Sequence, residues 1–396
     1  MFEKVQFEIV GIVKGEYMNI GKITLDGYFN YGNKLQNYAL QRFLFQKMDL
    51  LVNTIWHTTS QRNILLPGDA GWKVWGIKES IKSLINWKNF RYKLILEDIR
   101  IDAIRQYRFK CFDDKWISTR YDCIDLQHSN LAAKYDFMIT GSDQVWNPYF
   151  LERPEDMFLT FMPPERRIAY AASFGISEIP AQWKEQYTKW LSEMHAISVR
   201  EERGAEIVKE LTGRDVPVLV DPTLLLTPEE WNHVAQRPLW LDAEKKYILL
   251  YFLSEMPKAA RETVRRLAEE NHLEIIDLMD WRNLDWYTSD PAEFVYLIAH
   301  ADLIYTDSFH GTVFSILYNR PFVICDRQIG NKKYGMNSRI DTLLGLFHLG
   351  DRFGTEENQY TLSNPFQIEY PDTEKILIRE RKRSHDYLCE AMGLQK

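Results

Sequence analysis

Short apolar runs alternate with helix-period segments along most of this 396-residue chain, and the alternation restarts once near its middle. That rhythm marks parallel sheet covered by helices, because parallel strands need crossover connections and are buried on both faces. In the first half, residues 21–25, 135–140, 167–172, 196–200 and 216–220 read as strands. Residues 34–47, with Leu35, Ala39 and Phe43 on one face, and residues 202–211 read as helices. In the second half, residues 246–253, 274–277, 303–306 and 322–325 read as strands, and residues 259–271, 291–300 and 312–318 as helices. The two runs meet near residues 222–245. The expected fold is therefore α/β, with two Rossmann-like domains facing one another across a cleft. The expected boundaries are residues 1–225 for the first domain and 226–372 for the second. A C-terminal helix over residues 373–396, carrying Arg379, Arg381, Lys382 and Arg383, is expected to pack back on the first domain.

Composition narrows the function by exclusion. Lys and Arg number 49 against 56 Asp and Glu, a net charge of −7, which argues against a general nucleic-acid binder. Four cysteines stand far apart without a CxxC pair, so neither a disulfide framework nor a structural zinc site is expected. The sequence starts without a basic and then apolar leader, and no apolar run approaches the ~20 residues of a membrane span. A cytoplasmic location follows as the expectation. The phosphate-loop, dinucleotide-loop, zincin and serine-hydrolase signatures are all missing, as is any Asp-x-Asp pair. A mechanism without metal or cofactor is expected.

One region departs from the alternation. Residues 72–116 hold eleven Lys/Arg against six Asp/Glu, together with Trp72, Trp75, Trp87, Phe90, Tyr92, Tyr107, Phe109, Phe112 and Trp116. The helical spacing of the apolar residues reads as an insert within the first domain. Such helices can lie at a membrane surface or meet a lipid diphosphate. On the plainer reading the aromatics pack on the sheet and the lysines face water.

In an open α/β sheet, ligands bind where strand ends lead into helices. Four such loops are polar: residues 26–33, 141–147, 198–202 and 306–312. In the last, Asp307 or Ser308 can cap a helix, leaving free N–H groups up to Thr312, and Gly311 lets a ligand approach the backbone. That is an anion site. His310 beside it is either a general acid for a bound anion or a brace for the turn, and spacing leaves both open. The other histidines (His57, His128, His195, His233, His272, His300, His348 and His385) read as structural or surface groups. Arg200 can clamp a carboxylate or phosphate, or pair with Glu201 or Glu202. Residues 141–147 offer hydroxyl, carboxylate, amide and indole groups suited to a sugar, or form a rigid turn with Trp146 inward. Lys332, Lys333 and Arg339 add positive charge downstream, or are solvated.

Taken together, these loops resemble the polysaccharide pyruvyl transferase family. The resemblance rests on Asn30-Tyr31-Gly32 with Leu35-Gln36-x-Tyr38-Ala39-Leu40-Gln41, on Gly141-Ser142-Asp143-Gln144-Val145-Trp146-Asn147, and on Ala169-Tyr170-Ala171-Ala172-Ser173-Phe174-Gly175. Ser198-Val199-Arg200-Glu201, Asp221-Pro222-Thr223-Leu224-Leu225 and Thr306-Asp307-Ser308-Phe309-His310-Gly311 complete it, in order over residues 21–350. It implies a GT-B-like fold and metal-free transfer of pyruvate from phosphoenolpyruvate, a co-substrate, onto a sugar as a cyclic ketal. The acceptor would be a hexose of a cell-surface polysaccharide precursor carried on undecaprenyl diphosphate, with peripheral contact at the inner membrane face and no nucleic-acid partner. By the resemblance, His310 is the proton donor and Arg200 grips the donor substrate, with Ser308, Gly311, Thr312, Lys333 and Arg339 around it. Asp143 and Gln144 are assigned to the acceptor sugar, and Asn30 and Gly32 line the cleft. Family members with Arg-Leu-His have an arginine where this chain has Ser308, so its anion must be met by Ser308, the backbone, Arg339 or Lys333. Two alternatives stand beside this reading: a GT-B-type transferase using a nucleotide sugar, and a non-catalytic glycan- or anion-binding module.

Overall fold

The computed structural model describes residues 18–25, 27–57, 91–123, 126–127, 129–151, 153–329, 332–333, 338–355, 357–358 and 360–395, without the side chains of 56–57, 91–99, 120–123, 328–329 and 332–333. The first sheet has six parallel strands: β1 (Asn19–Ile23), β2 (Leu51–His57), β3 (Thr119–Cys123), β4 (Phe137–Thr140), β5 (Arg167–Ala172) and β6 (Ala196–Val199). Their order is β3-β2-β1-β4-β5-β6. The order reverses between β1 and β4, and that crevice is where such a sheet binds ligands. The second sheet contains β7 (Tyr247–Tyr251), β8 (Glu274–Asp277), β9 (Leu303–Thr306) and β10 (Phe322–Cys325). A small hairpin of β11 (Gln328–Ile329) and β12 (Lys332–Lys333) follows, and β13 (Phe353–Gly354) closes the second sheet in the order β13-β10-β9-β7-β8. Its strands are also parallel, and its switch point lies between β7 and β9.

The helices that matter for the site are α1 (Tyr31–Met48), α2 (Arg91–Trp116), α3 (Ala181–Ser192), α4 (Glu202–Thr212), α5 (Lys258–Asn271), α6 (Pro291–His300), α7 (Phe309–Leu317), α8 (Ser338–Phe347) and α9 (Thr373–Met392). Two α/β units thus face one another, as the alternation predicts. One expected strand is absent: residues 216–220 make only the single bridge Val199↔Val218. Pro217 has no N–H to give a ladder, which keeps this stretch an irregular edge. The C-terminal helix does return to the first domain. On α9, Tyr387 donates to the Ala169 carbonyl (2.8 Å), and Arg381 donates to the Leu224 and Leu226 carbonyls (2.9 and 2.8 Å).

Helix α1 is buried on more than its Leu35–Ala39–Phe43 face because it lies between the first sheet and α6 of the second unit. Three of its buried polar residues are bonded, while Asn33 Oδ1 is buried without a partner among the described residues. Lys34 pairs with Asp113 at 2.6 Å, Gln36 donates to Thr24 Oγ1 at 2.9 Å, and Asn37 Oδ1 accepts from Thr54 at 2.9 Å. The described part of the 72–116 insert is α2, which runs between the two units as a strut. Arg105 on α2 is fully buried and donates to Tyr31 Oη (3.2 Å), to the Phe29 carbonyl (3.0 Å) and to the Tyr287 carbonyl. Arg108 pairs with Glu293 at 2.7 Å, and Tyr287 donates to Asp102 at 2.7 Å. Phe109 and Phe112 are core residues. Residues 72–90, with Trp72, Trp75 and Trp87, lie outside the described residues.

Aromatic excess has its explanation here as well. Tyr31 of the first unit stacks between Phe109 (5.0 Å) and Phe294 (4.4 Å), with Tyr251 at 5.4 Å, so rings from both units share one cluster. Arg105 lies over the Tyr31 ring at 4.8 Å. Removing this buried guanidinium takes their donor from the Phe29 and Tyr287 carbonyls and from the Tyr31 hydroxyl. Arg105→Ala is expected to cost about 3 kcal/mol in denaturant unfolding. A loss under about 1 kcal/mol would show that α2 is not the tie between the units.

Candidate active site

The loops at the two switch points converge. Asn30 caps α1, its Oδ1 accepting from Gly32 N–H at 2.9 Å. Helix α7 starts in the same way: Ser308 is the cap, and its hydroxyl accepts from Gly311 N–H at 3.4 Å. Asp307 does not cap. Its carboxylate takes Leu253 N–H (2.7 Å), Ser254 N–H (2.9 Å) and the Ser254 hydroxyl (2.6 Å), tying the loop after β9 to the loop after β7. The two helix starts meet directly. A methyl group on Gly32 would overlap the His310 ring around Nδ1, so glycine is what allows the imidazole to rest on the α1 backbone.

Asp221, fully buried, stands at the centre of the cluster. Its Oδ1 accepts from the Thr223 N–H (3.0 Å) and hydroxyl (2.7 Å). Its Oδ2 accepts from Arg200 Nη1 (2.6 Å) and Ser142 Oγ (3.1 Å), and stands 3.5 Å from His310 Nε2. Burial pushes this carboxyl upward. His310 and Arg200, with the Thr223 N–H, outweigh burial and hold it well below the usual carboxylate range.

Arg200 follows β6 and reaches Asp221, with Asp143 Oδ1 at 3.5 Å. It pairs with neither neighbouring glutamate, contrary to the simpler expectation. Glu201 turns inward and accepts from Ser173 Oγ (2.9 Å) and Phe174 N–H (3.0 Å). Burial pulls the Arg200 pKa down, but Asp221, Asp143 and Glu201 more than offset that and leave it raised. The Arg200 guanidinium lies over the Phe309 ring at 4.4 Å, and Arg339 approaches the same ring at 5.8 Å. Arg339 differs in one respect. It is 5% exposed and makes no hydrogen bond or ion pair among the described residues. Burial and the neighbouring Arg200 pull its pKa down to about 10. A cavity of about 860 Å³ opens beside these groups, lined by Arg200, Asp221, Phe309, Arg339 and Thr342 among others.

The remaining expected residues are placed less uniformly. Asp143 and Gln144 stand beside this cluster. Asp143 Oδ1 accepts from Gln144 N–H (2.9 Å), and Gln144 Oε1 accepts from Asn147 (2.9 Å) and fills the space next to Gly175. Thr312 is turned into its own helix, both its N–H and its hydroxyl donating to the Ser308 carbonyl. Gly311 is filled from behind by Thr306, whose hydroxyl would lie 2.6 Å from an added Cβ, so its small size serves packing against β9. The N–H groups of Phe309 and His310 have no partner among the described residues, so the helix start keeps two free donors rather than four. Lys333 belongs to β12, and its side chain lies outside the described residues. Trp146 is buried and stacked on Phe158 at 5.2 Å, so it offers no sugar platform. Sequence reasoning missed Asp221 and Ser142 as site residues. Asp-Pro-Thr directly after an apolar run is the signal that marks the first of them.

Two outcomes follow from this geometry. Gly32→Ala is expected to cost about 1–3 kcal/mol in thermal unfolding and to recover most of that in a His310→Ala background. Equal cost in both backgrounds would place the clash elsewhere. The ordinary Asp value is about 3.9, and the folded Asp221 carboxyl lies below it. Its stabilising effect is therefore present above about pH 5 and is lost as the pH falls. Asp221→Asn is expected to flatten the rise in melting temperature between about pH 3 and 5. An unchanged acid limb would contradict an ionised Asp221.

Comparison with known proteins places the fold and the family. The family model for polysaccharide pyruvyl transferase matches residues 30–328. No curated protein matches the sequence. The S. aureus MnaA–UDP co-structure aligns with TM-score 0.50 and 11% identity, over 96% of this chain and 98% of that one. UDP-GlcNAc 2-epimerase from Neisseria meningitidis bound to UDP-GlcNAc aligns with TM-score 0.38 and 10% identity, over 92% and 100%. An alpha-glucosyltransferase in complex with UDP gives TM-score 0.40 and 8% identity, over 94% and 96%. At such identities the first likeness speaks for the fold alone, two Rossmann-like domains in a GT-B-like arrangement. Among the described residues no helix is long and apolar enough to cross a membrane. Matched over most of its length and folded in this way, the chain belongs to the polysaccharide pyruvyl transferase family.

Proposed function

We propose that this protein transfers the pyruvyl group of phosphoenolpyruvate onto a hexose of a lipid-linked polysaccharide precursor, forming a cyclic ketal and releasing phosphate. The observation that carries the reading is Arg339. A buried guanidinium without an anionic partner among the described residues is costly, and a donor bearing a carboxylate and a phosphate relieves that cost. Arg200 is already neutralised by Asp221 and Asp143, so Arg339 is the better anchor for the donor anion, helped by the free N–H groups of Phe309 and His310.

Proton flow through the site is then as follows. His310 in its cationic form gives a proton to the methylene carbon of phosphoenolpyruvate, which becomes the methyl group. The electrons of the double bond form the new C–H bond and leave the adjacent carbon electron-poor. One sugar hydroxyl bonds to that carbon and returns its proton to the imidazole, acting now as base. A second hydroxyl displaces phosphate from the same carbon, and its proton departs with the phosphate. Asp143 and Gln144, at the first-domain edge of the cluster, are assigned to the sugar. A lipid-linked acceptor implies work at the inner face of a membrane.

Phosphate release from phosphoenolpyruvate, assayed with and without a panel of lipid-linked sugars, tests the reading. Nucleotide release from nucleotide sugars runs in parallel. Acceptor-dependent phosphate release is expected, reduced about 100-fold or more in His310→Ala, with the donor KM raised about 30-fold in Arg339→Ala. Nucleotide release without phosphate release would favour a glycosyltransferase instead. No turnover of either kind would favour a binding module.

A further inference from the structure

His310 has two ring nitrogens, and the structure treats them differently. Nε2 is fully buried and makes no hydrogen bond among the described residues, and Asp221 Oδ2 stands 3.5 Å from it. Nδ1 lies beside the bare backbone of Gly32, has no hydrogen-bond partner among the described residues and is not sealed as Nε2 is. The carboxylate is fixed independently of the histidine. Thr223 holds its Oδ1 through two bonds, and Arg200 and Ser142 hold its Oδ2. An ionised carboxylate can only accept, so a nitrogen that faces it must carry hydrogen. In neutral imidazole one nitrogen has the hydrogen and the other has the lone pair, and a fixed partner at one nitrogen decides which.

We propose that Asp221 is the positioning residue of His310, its carboxylate taking Nε2–H, so that Nδ1 is the nitrogen that exchanges a proton with the substrate. The assignment of Nδ1 as the reacting atom rests on the pyruvyl-transfer reading. The assignment of the tautomer does not. During transfer the Nδ1–H bond breaks as the C–H bond of the new methyl group forms, and Nδ1 regains a proton from the attacking hydroxyl. Nε2 keeps its hydrogen throughout, and Asp221 stays ionised beside the imidazolium it stabilises. At 3.5 Å the pair makes no hydrogen bond in this structure, and catalytic contacts of this kind tighten when substrate binds.

Nitrogen NMR of the full chain labelled with 15N-histidine tests the proposal, with His310→Gln identifying the signal. Neutral His310 is expected as the Nε2–H form, and folded Asp221→Ala is expected to lose that preference. An Nδ1–H form in the unaltered protein would overturn the proposal. So would an Nε2–H preference that survives in folded Asp221→Ala. Should Asp221→Ala not fold, the unaltered protein decides by itself. Steady-state kinetics add a second readout. Asp221→Asn is expected to lower kcat at least about 10-fold while the donor KM stays within about threefold. A large rise in KM at unchanged kcat would instead make Asp221 a support for donor binding through Arg200 and overturn its role at His310. Absence of any turnover counts against pyruvyl transfer, and the tautomer then decides the role of Asp221 independently.

Discussion

A carboxylate in a protein interior costs several kcal/mol unless charges and donors surround it. Asp221 is such a group, and its partners come from four parts of the chain. Arg200 stands at the end of β6, Ser142 in the loop after β4, Thr223 in the turn of Asp221 itself, and His310 at the start of α7 in the other unit. The segment that carries the chain from one unit to the other is thus fixed by the same carboxylate that faces the candidate proton donor. Helix α9 secures that segment from outside, where Arg381 caps the Leu224 and Leu226 carbonyls. The closure of the two units and the geometry of the site are one arrangement, with the ring cluster around Tyr31 and the α2 strut as its second support.

Charge is distributed in the site with the same economy. Arg200 and Arg339 both approach the Phe309 ring, yet of the two only Arg200 makes ion pairs among the described residues. Arg339, the one of the two without an ion pair among the described residues, stands on α8 in the second unit. A net charge of −7 conceals it entirely. A site with a surplus cation and a carboxylate-held histidine suits an anion that must receive a proton. The absence of an arginine at Ser308 fits the same arrangement, because the Ser308 hydroxyl is committed to capping α7 and Arg339 supplies charge from another helix.

Much of the fold was legible because it is local. The strands over residues 274–277, 303–306 and 322–325 and the helix over residues 291–300 coincide with observed elements, since each is a short apolar run or a capped period bounded by turn residues. Strands β2 and β3 escaped notice. LVNTIWH interrupts its apolar run with polar residues, and TRYDC is a polar edge. The site was legible only as separate loops. His310, Gly32, Arg200 and Ser308 could each be singled out by type and position. That Gly32 lies under His310, and that Asp221 lies between Arg200 and His310, depends on how two units dock, which no local pattern encodes. Composition misled in one place: Trp146 and most of the other buried rings serve packing, and α2 is a strut between units before it is anything else.

The central claim is that an anionic enol donor is protonated at carbon in this site. Running the reaction with phosphoenolpyruvate and a lipid-linked hexose in heavy water, and reading the isotope content of the product by mass spectrometry, tests that step directly. The account predicts a ketal whose methyl group carries one solvent deuterium for each pyruvyl unit transferred. A ketal without solvent deuterium in its methyl group, or an acceptor extended by a sugar instead, would contradict it.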